Sequence, residues 1–389
     1  MDFRFDRELE AFRQEVHAFF EQEMSPKRTR GHTDPLDLTG YDETFERALV
    51  RRCGERGYLG VCVPEEYGGA GRPSRFKAVF DFEAAYADAP AIDTPITLVG
   101  SQMLAYGSEA QKAYFLPRMV RGEGLMCIAY TEPDAGSDLT RIAASARREG
   151  EGYILDGVKS LVTAAHKSDH ACVVARTDPD VAPRRGMSMF MLALDTPGVR
   201  VVRCPTANGW TLGEIHFEGA RLPTDALLGE WNAGWSQMAA AVLAERSGMA
   251  HLGWATRGLE ELDGLCRAGR TVGAPAAVAR QRIAQLHCDL EVGMRFAKRA
   301  MDQQDRGALE VAAASMTKIH ATELLQRIAQ VATELLGPFG SLSRGSAWAP
   351  RDGRFAYDVI EYIHPAVSIG ANEIQRSSIA QAGLGLPRS

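Results

Sequence analysis

The sequence predicts an α+β protein, and three observations carry that expectation. Apolar residues recur at helical spacing through the first third of the chain. Short β-rich runs split by turns fill residues from about 125 to 225. Helical spacing then returns and holds to the C-terminus. Helices, then a sheet, then helices again is an α+β order; a doubly wound sheet would alternate strand and helix. At 389 residues the chain has length for two or three well-buried domains. The expected division is a helical domain over 1–124, a β-sheet or barrel-like domain over 125–228, and a four-helix bundle over 229–389.

Each element has its own signal. Phe5, Leu9, Phe12, Val16, Phe19, Phe20 and Met24 stand three and four residues apart, so 5–24 is predicted as an amphipathic helix. Similar patterns predict helices over about 42–57, 73–87 and 95–120. The stretch from Leu59 to Gly71 is a loop closed by glycines. Strands are predicted at Tyr153–Leu155, Ala171–Ala175, Met187–Leu194, Val199–Cys204 and Ile215–Phe217. Asp156-Gly157 is a reversal dipeptide, so 153–165 reads as a hairpin of strand, turn and strand. Long helices follow over 231–267, 275–306 and 308–336, with a last one near 355–382. Gly337-Pro338-Phe339-Gly340 stops the third of these.

Bulk properties exclude several classes. A net charge of −6 argues against nucleic acid or an anionic membrane as partner. No apolar run approaches the roughly 20 residues of a membrane span. Asp2, Arg4, Asp6, Arg7 and Glu8 make the start too charged for a signal peptide. Seven scattered cysteines point to reduced thiols and a cytoplasmic address. There is no Gly-x-Gly-x-x-Gly after a strand and no P-loop. His166 and His170 lie between strands without a third ligand, so they read as a solvated turn and no metal is expected.

The most informative run is Tyr130-Thr-Glu-Pro-Asp-Ala-Gly-Ser-Asp138, which follows the apolar strand end Leu125–Ala129. Pro133 and Gly136 forbid a regular helix or ladder there. Thr131, Ser137 and free backbone N–H groups offer donors in a compact turn able to hold a planar, acceptor-rich ring. For the Pro-Asp-Ala-Gly piece alone, a plain turn between strands is the competing reading. The full nine residues resemble the flavin-contacting signature of the acyl-CoA dehydrogenase family. Helical, β and helical segments in that order resemble the family layout across essentially the whole chain.

The resemblance implies an FAD cofactor and a set of residues to hold it. Ile128, Tyr130, Thr131, Gly136 and Ser137 correspond to the flavin turn. Family members carry Trp-x-Thr-Asn at the end of a nearby strand; here it is Leu161-Val-Thr163-Ala164, which keeps the threonine and loses the aromatic wall. Gly337 to Gly340 stands where the family has a Gly-Gly-x-Gly loop approaching the dinucleotide from a neighbouring subunit. Pro338 removes one donor there. The family's Arg-x-x-Phe-Gly element is degraded to Gly269-Arg270-Thr-Val-Gly273, with Arg270 or Arg280 left to meet the pyrophosphate. Gly370 to Arg376, containing Ala371 and Glu373, resembles the actinobacterial branch in particular, as does Leu384 to Arg388. By itself that tail is a Pro-terminated amphipathic helix.

The family oxidises an acyl thioester: a carboxylate removes the α-proton while the β-hydrogen leaves as hydride to flavin N5. Such a base should be desolvated, with a raised pKa. Many members carry it as a glutamate just before the glycine equivalent to Gly370, where this chain has Ile369. Isovaleryl- and long-chain-type members carry it in a Glu-Arg pair on a helix, and Leu243-Ala-Glu245-Arg246 resembles that pair. Residues 237–257 around it are mostly small and apolar, which suits burial. A lone Glu-Arg is otherwise an ion-paired helix surface. Adjacent helical positions diverge by about 100°, so Arg246 is expected to orient a neighbour or the thioester handle. Ser137, Arg246, Ile369 and Gly370 are the expected substrate side. The implied partners are an acyl thioester on coenzyme A or acyl carrier protein, and an electron-transfer flavoprotein. One FAD per chain, with its far end reached from a second subunit, implies a homotetramer or heterotetramer. Two readings stay open beside this one: a flavin oxidase or monooxygenase on the same fold, and a non-catalytic subunit of a heteromeric complex.

Overall fold

The structure, a computed structural model, describes residues 6–29, 41–90, 94–245 and 248–387; the side chains of 28, 29, 94–97 and 240–245 also lie outside the described set. The first helices are α1 (Arg7–Glu23), the short α2 (Pro26–Thr29), α3 (Glu43–Glu55), α4 (Ser74–Tyr86), α5 (Thr94–Tyr106) and α6 (Glu109–Val120). Asp6 caps α1 through its carboxylate, which accepts from the Leu9 N–H at 2.8 Å. The expected single helix over 95–120 is two. Ser108 and Gln111 form a reciprocal capping box that starts α6 afresh.

Eight strands follow: β1 (Met126–Ala129), β2 (Ser145–Glu149), β3 (Gly152–Thr163), β4 (His170–Arg176), β5 (Met187–Ala193), β6 (Val199–Pro205), β7 (Thr211–Leu222) and β8 (Leu227–Leu228). They form one sheet in the order β6-β7-β3-β2-β4-β5-β8, with β1 added in parallel to β4. The predicted hairpin over 153–165 is wrong. β3 runs straight through Asp156-Gly157, and its register against β7 slips there as a bulge. The reversal lies earlier, at Gly150-Glu151, between β2 and β3. Gly157 has φ +129, and a Cβ on it would stand 2.6 Å from the Ala144 Cα. Asp-Gly is thus here because the neighbouring backbone leaves no room for a side chain.

The last helices are α7 (Gly234–Glu245), α8 (Met249–Arg267), α9 (Ala276–Asp305), α10 (Val311–Leu336), α11 (Arg354–Glu361), α12 (Ile363–Val367) and α13 (Asn372–Ser378). Two expected helices are broken. The segment 231–267 is divided because Gly248, at φ +71, cannot continue a right-handed helix into α8. The segment 355–382 is divided at Ile369-Gly370, both with positive φ.

Contacts group the chain into two compact units that interleave in sequence: Met1–Arg28, Pro73–Ala89 and Arg246–Ser389 in the first; Thr29–Arg72 and Pro90–Glu245 in the second. In the first unit α8, α9 and α10 share a core of Leu252, Leu259, Ile283, Leu325 and Ile328, to which α4 adds Ala78. In the second unit β4 is buried on both faces. Cys172 and Val174 meet Met103 of α5 and Leu116 of α6, while Ala171, Val173 and Ala175 join Leu155, Ile215 and Phe217. Burial on both sides explains why β4 reads as a continuous apolar run without alternation. Among the described residues no helix is long and apolar enough to cross a membrane.

Gly157→Ala is expected to destabilise the second unit by about 2–4 kcal/mol, since it adds both a backbone clash and a disfavoured φ. Denaturant unfolding of the variant against wild type measures this; an unchanged midpoint would mean that the bulge relaxes freely.

Candidate active site

The Tyr130–Asp138 turn is held from below by a buried ion pair. Glu132 and Ala135 exchange backbone hydrogen bonds at 3.0 and 3.1 Å, which closes the turn around Pro133-Asp134. The Glu132 side chain points inward, 6% exposed, and takes Lys159 Nζ of β3 at 2.7 Å. The same carboxylate accepts the backbone N–H groups of Ala143 at 2.7 Å and Ala144 at 3.0 Å. Lys159 Nζ also donates to the Tyr130 carbonyl at 3.0 Å. Burial pulls the Lys159 pKa down to about 8, against the attraction of Glu132. A buried charge pair with its remaining hydrogen-bonding capacity filled by backbone is directional, so it fixes where the turn sits on the sheet.

A second link runs along the top of the turn, where the Ser160 N–H donates to the Thr131 carbonyl at 2.9 Å. This fixes Thr131 beside Ser160, one residue before Leu161 and three before Thr163, at the end of β3. Gly136 and Ser137 are exposed at the rim, and a Cβ on Gly136 would meet nothing within 4 Å. Ile128 is half-buried on β1. Tyr130 behaves differently: its ring turns into the core and its hydroxyl meets Gln102 Nε2 at 2.6 Å, so only its backbone faces the rim. Leu161, inside the register slip between Lys159 and Val162, has φ +55, and Ala164 just past the strand has φ +59.

The candidates for the dinucleotide's far end lie in the first unit, and there they form two separate groups. Arg270 precedes Gly273, whose N–H donates to the Leu335 carbonyl at 2.8 Å, so this segment packs beside the Gly337 turn that ends α10. Gly340 is buried in that turn, and Arg280 lies in the early part of α9. Ala371 caps α13 and Glu373 is exposed in its first turn, near the other end of α10. Nineteen residues of α10 separate Gly337 from Lys318, which contacts Asn372; that is about 28 Å of helix. One chain does not bring the two groups together. Glu245 is the last residue of α7; its side chain, and all of Arg246, lie outside the described residues.

Glu132 and Lys159 are the positions that sequence reasoning missed. Twenty-seven residues apart, they carry no spacing signal. A lysine inside an otherwise strand-forming run was the available hint.

Family models cover nearly the whole chain. Acyl-CoA dehydrogenase N-terminal, middle and C-terminal domain models match residues 6–123, 127–220 and 232–384. The chain belongs to the acyl-CoA dehydrogenase family. It is 30% identical to acyl-CoA dehydrogenase FadE29 of Mycobacterium tuberculosis, over 98% of this chain and 97% of that one. Among solved structures, the Tcur3481-Tcur3483 steroid ACAD aligns at a TM-score of 0.92 with 28% identity, covering all of both chains. The ChsE4-ChsE5 complex from Mycobacterium tuberculosis aligns at 0.89 with 27% identity, again over both full chains. This acyl-CoA dehydrogenase is therefore an FAD-dependent oxidoreductase of acyl thioesters.

The residues present fit a flavin. Leu161 is 64% exposed and held in a left-handed conformation, which costs a leucine about 1–2 kcal/mol. An apolar side chain strained outward to solvent gains burial when a planar ring lies on it. Leu161 can supply that apolar contact in place of the family tryptophan.

Lys159→Met should destabilise the fold by about 3–5 kcal/mol, because it strands the Glu132 carboxylate. Adding Glu132→Gln should recover part of the loss, since the amide oxygen still accepts from Ala143 or Ala144 without a charge. A double-mutant cycle by denaturant unfolding checks this; strictly additive losses would show that the two side chains do not act as a pair.

Proposed function

We propose that this acyl-CoA dehydrogenase uses Glu245 as its base, on an acyl-CoA whose acyl group is bulky and apolar. The observation that carries the reading is the joined pair of Tyr130–Ser137 turn and Leu161–Thr163 strand end. It offers the backbone donors of the turn, the Thr163 hydroxyl and an apolar face within one rigid element. FAD, when bound there, supplies the two-electron acceptor for the hydride that leaves the β-carbon. Thr163 would hold the ring by its hydroxyl and Leu161 would cover it. Glu245 would take the α-proton as a carboxylate base. Ile369 supports the assignment, because an isoleucine leaves the alternative position without a carboxylate. Ser137, Arg246 and Gly370 would contact the thioester handle. The likeness to a structure titled a steroid ACAD supports a bulky acyl group.

The assembly we propose is a tetramer, with electrons passing to an electron-transfer flavoprotein. Arg270, Arg280, Gly337 and Gly340 would serve one FAD and Ala371 and Glu373 another, one of the two being held by a neighbouring subunit. Their separation along α10 supports this sharing. A heterotetramer is the second reading. Pro338 lacks a donor, and Val272, 58% exposed, stands where the family has phenylalanine. Solution mass with a flavin-to-protein ratio separates the two: one FAD per chain in a lone tetramer favours the first, and FAD retained only with a paralogue favours the second.

Glu245→Gln keeps size and polarity and removes the base. FAD should stay bound while bleaching by substrate slows by about 10² to 10⁴. Reduction at the wild-type rate would leave Glu245 an ordinary helix residue. Thr163→Val keeps a β-branched side chain at the end of β3 and deletes one neutral hydrogen bond, worth about 0.5–1.5 kcal/mol. Flavin reduction should therefore slow several-fold without being abolished. Unchanged reduction and unchanged FAD affinity would remove Thr163 from the site.

A further inference from the structure

Ile369 stands out in the first unit. It is β-branched, half-buried and held at φ +54, a conformation that such residues almost never adopt. Gly370 follows at φ +82, so the chain turns a corner between α12 and α13. Beneath the corner lies a buried polar network. Lys318 of α10, 4% exposed, donates from Nζ to the Ala366 carbonyl at 3.1 Å, the Gly370 carbonyl at 3.2 Å and Asn372 Oδ1 at 2.8 Å. These acceptors bracket Ile369 on both sides. Fully buried Gln375 donates a second hydrogen bond to the Gly370 carbonyl at 2.9 Å and is itself oriented by Ser315 Oγ at 2.9 Å. Asn372 is fixed in turn by Thr322, whose Oγ1 accepts from its amide at 3.1 Å.

Stability alone gives no reason for this arrangement. A buried ammonium group is no more stabilising than well-packed apolar side chains of the same size. What it supplies is direction, since each donor points at one oxygen. Strain of this kind persists only where the surroundings over-determine it, and it concentrates at ligand-facing positions.

We propose that Lys318 is a positioning residue: it clamps the Ile369–Gly370 corner in its strained form, so that Ile369 presents a fixed apolar wall to the acyl group and selects bulky apolar acyl chains over slender straight ones. This rests on the placement of Ile369 on the substrate side. Ile369 is the specificity residue that touches substrate; Lys318 acts through it. A straight chain needs little of the wall and loses little when it moves, whereas a bulky group that fills the pocket loses contact area.

The test uses FAD-loaded Lys318→Met, Lys318→Arg, Ile369→Gly and the Lys318→Met/Ile369→Gly double variant. Amide hydrogen exchange over residues 366–372 should speed up about tenfold in Lys318→Met and stay near wild type in Lys318→Arg. The ratio of kcat/KM for a polycyclic acyl-CoA to that for butyryl-CoA should fall about tenfold in Lys318→Met, through KM of the bulky substrate. In the Ile369→Gly background, where no wall remains, Lys318→Met should leave that ratio unchanged. A merely structural lysine would lower both substrates evenly, and that result overturns the proposal. So does an equal drop of the ratio in both backgrounds. Wild-type exchange in Lys318→Met overturns the clamp. If neither acyl-CoA bleaches the wild-type flavin, the functional reading falls together with the wall, while the exchange rates still decide the clamp. Should Lys318→Met fail to fold, Gln375→Met removes the other donor to Gly370 and carries the same measurements.

Discussion

The ion pair between Lys159 and Glu132 is the constraint on which the candidate site depends. It ties three stretches that are remote in sequence: the turn after β1, the residues leading into β2, and the middle of β3. Hydrophobic packing could hold these stretches together equally well, but would leave their register free to slide. A carboxylate with three fixed donors cannot slide without losing one of them, and a lost partner in the interior costs about 1–3 kcal/mol or more. The exposed rim of Gly136 and Ser137 is therefore as rigid as the sheet below it.

Backbone strain marks both units. Leu161 and Ala164 flank Thr163 with positive φ; in the other unit Ile369 also has a positive φ. Ordinary sheets and helices avoid such residues, so their presence needs supporting structure on either side. Leu161 lies inside the β3 register slip, and Ile369 sits over the Lys318 network. Lys159 lies two residues before Leu161 and donates to the Tyr130 carbonyl, and Lys318 donates to the Ala366 and Gly370 carbonyls on either side of Ile369.

Much of the fold was legible from pattern alone. The period of apolar residues placed α1, α3, α4, α9 and α10 to within a few residues, because each has one buried stripe. Strands β4, β5 and β6 were found as apolar runs. The failures have a common cause. Asp156-Gly157 carries the local chemistry of a turn, yet its backbone neighbour Ala144 made it a bulge. The segments 231–267 and 355–382 keep helical periodicity across Gly248 and Ile369-Gly370, where φ turns positive. Periodicity registers which residues are apolar and is blind to the sign of φ at one position.

The sequence by itself determined the α+β class and the family, and singled out the Tyr130–Asp138 turn as a candidate site, because these rest on local composition and on a contiguous motif. Tertiary structure decided which residues support that motif. Glu132 and Lys159 meet across 27 positions, and Lys318 meets Gly370 across 52. No spacing encodes such pairs; they exist because the sheet register and the packing of α10 against α13 bring them within hydrogen-bond distance. Tertiary structure also decided that one chain keeps its two groups of candidate dinucleotide residues a helix length apart. That follows from α10, which runs unbroken from Val311 to Leu336 between them and is held by its own backbone hydrogen bonds.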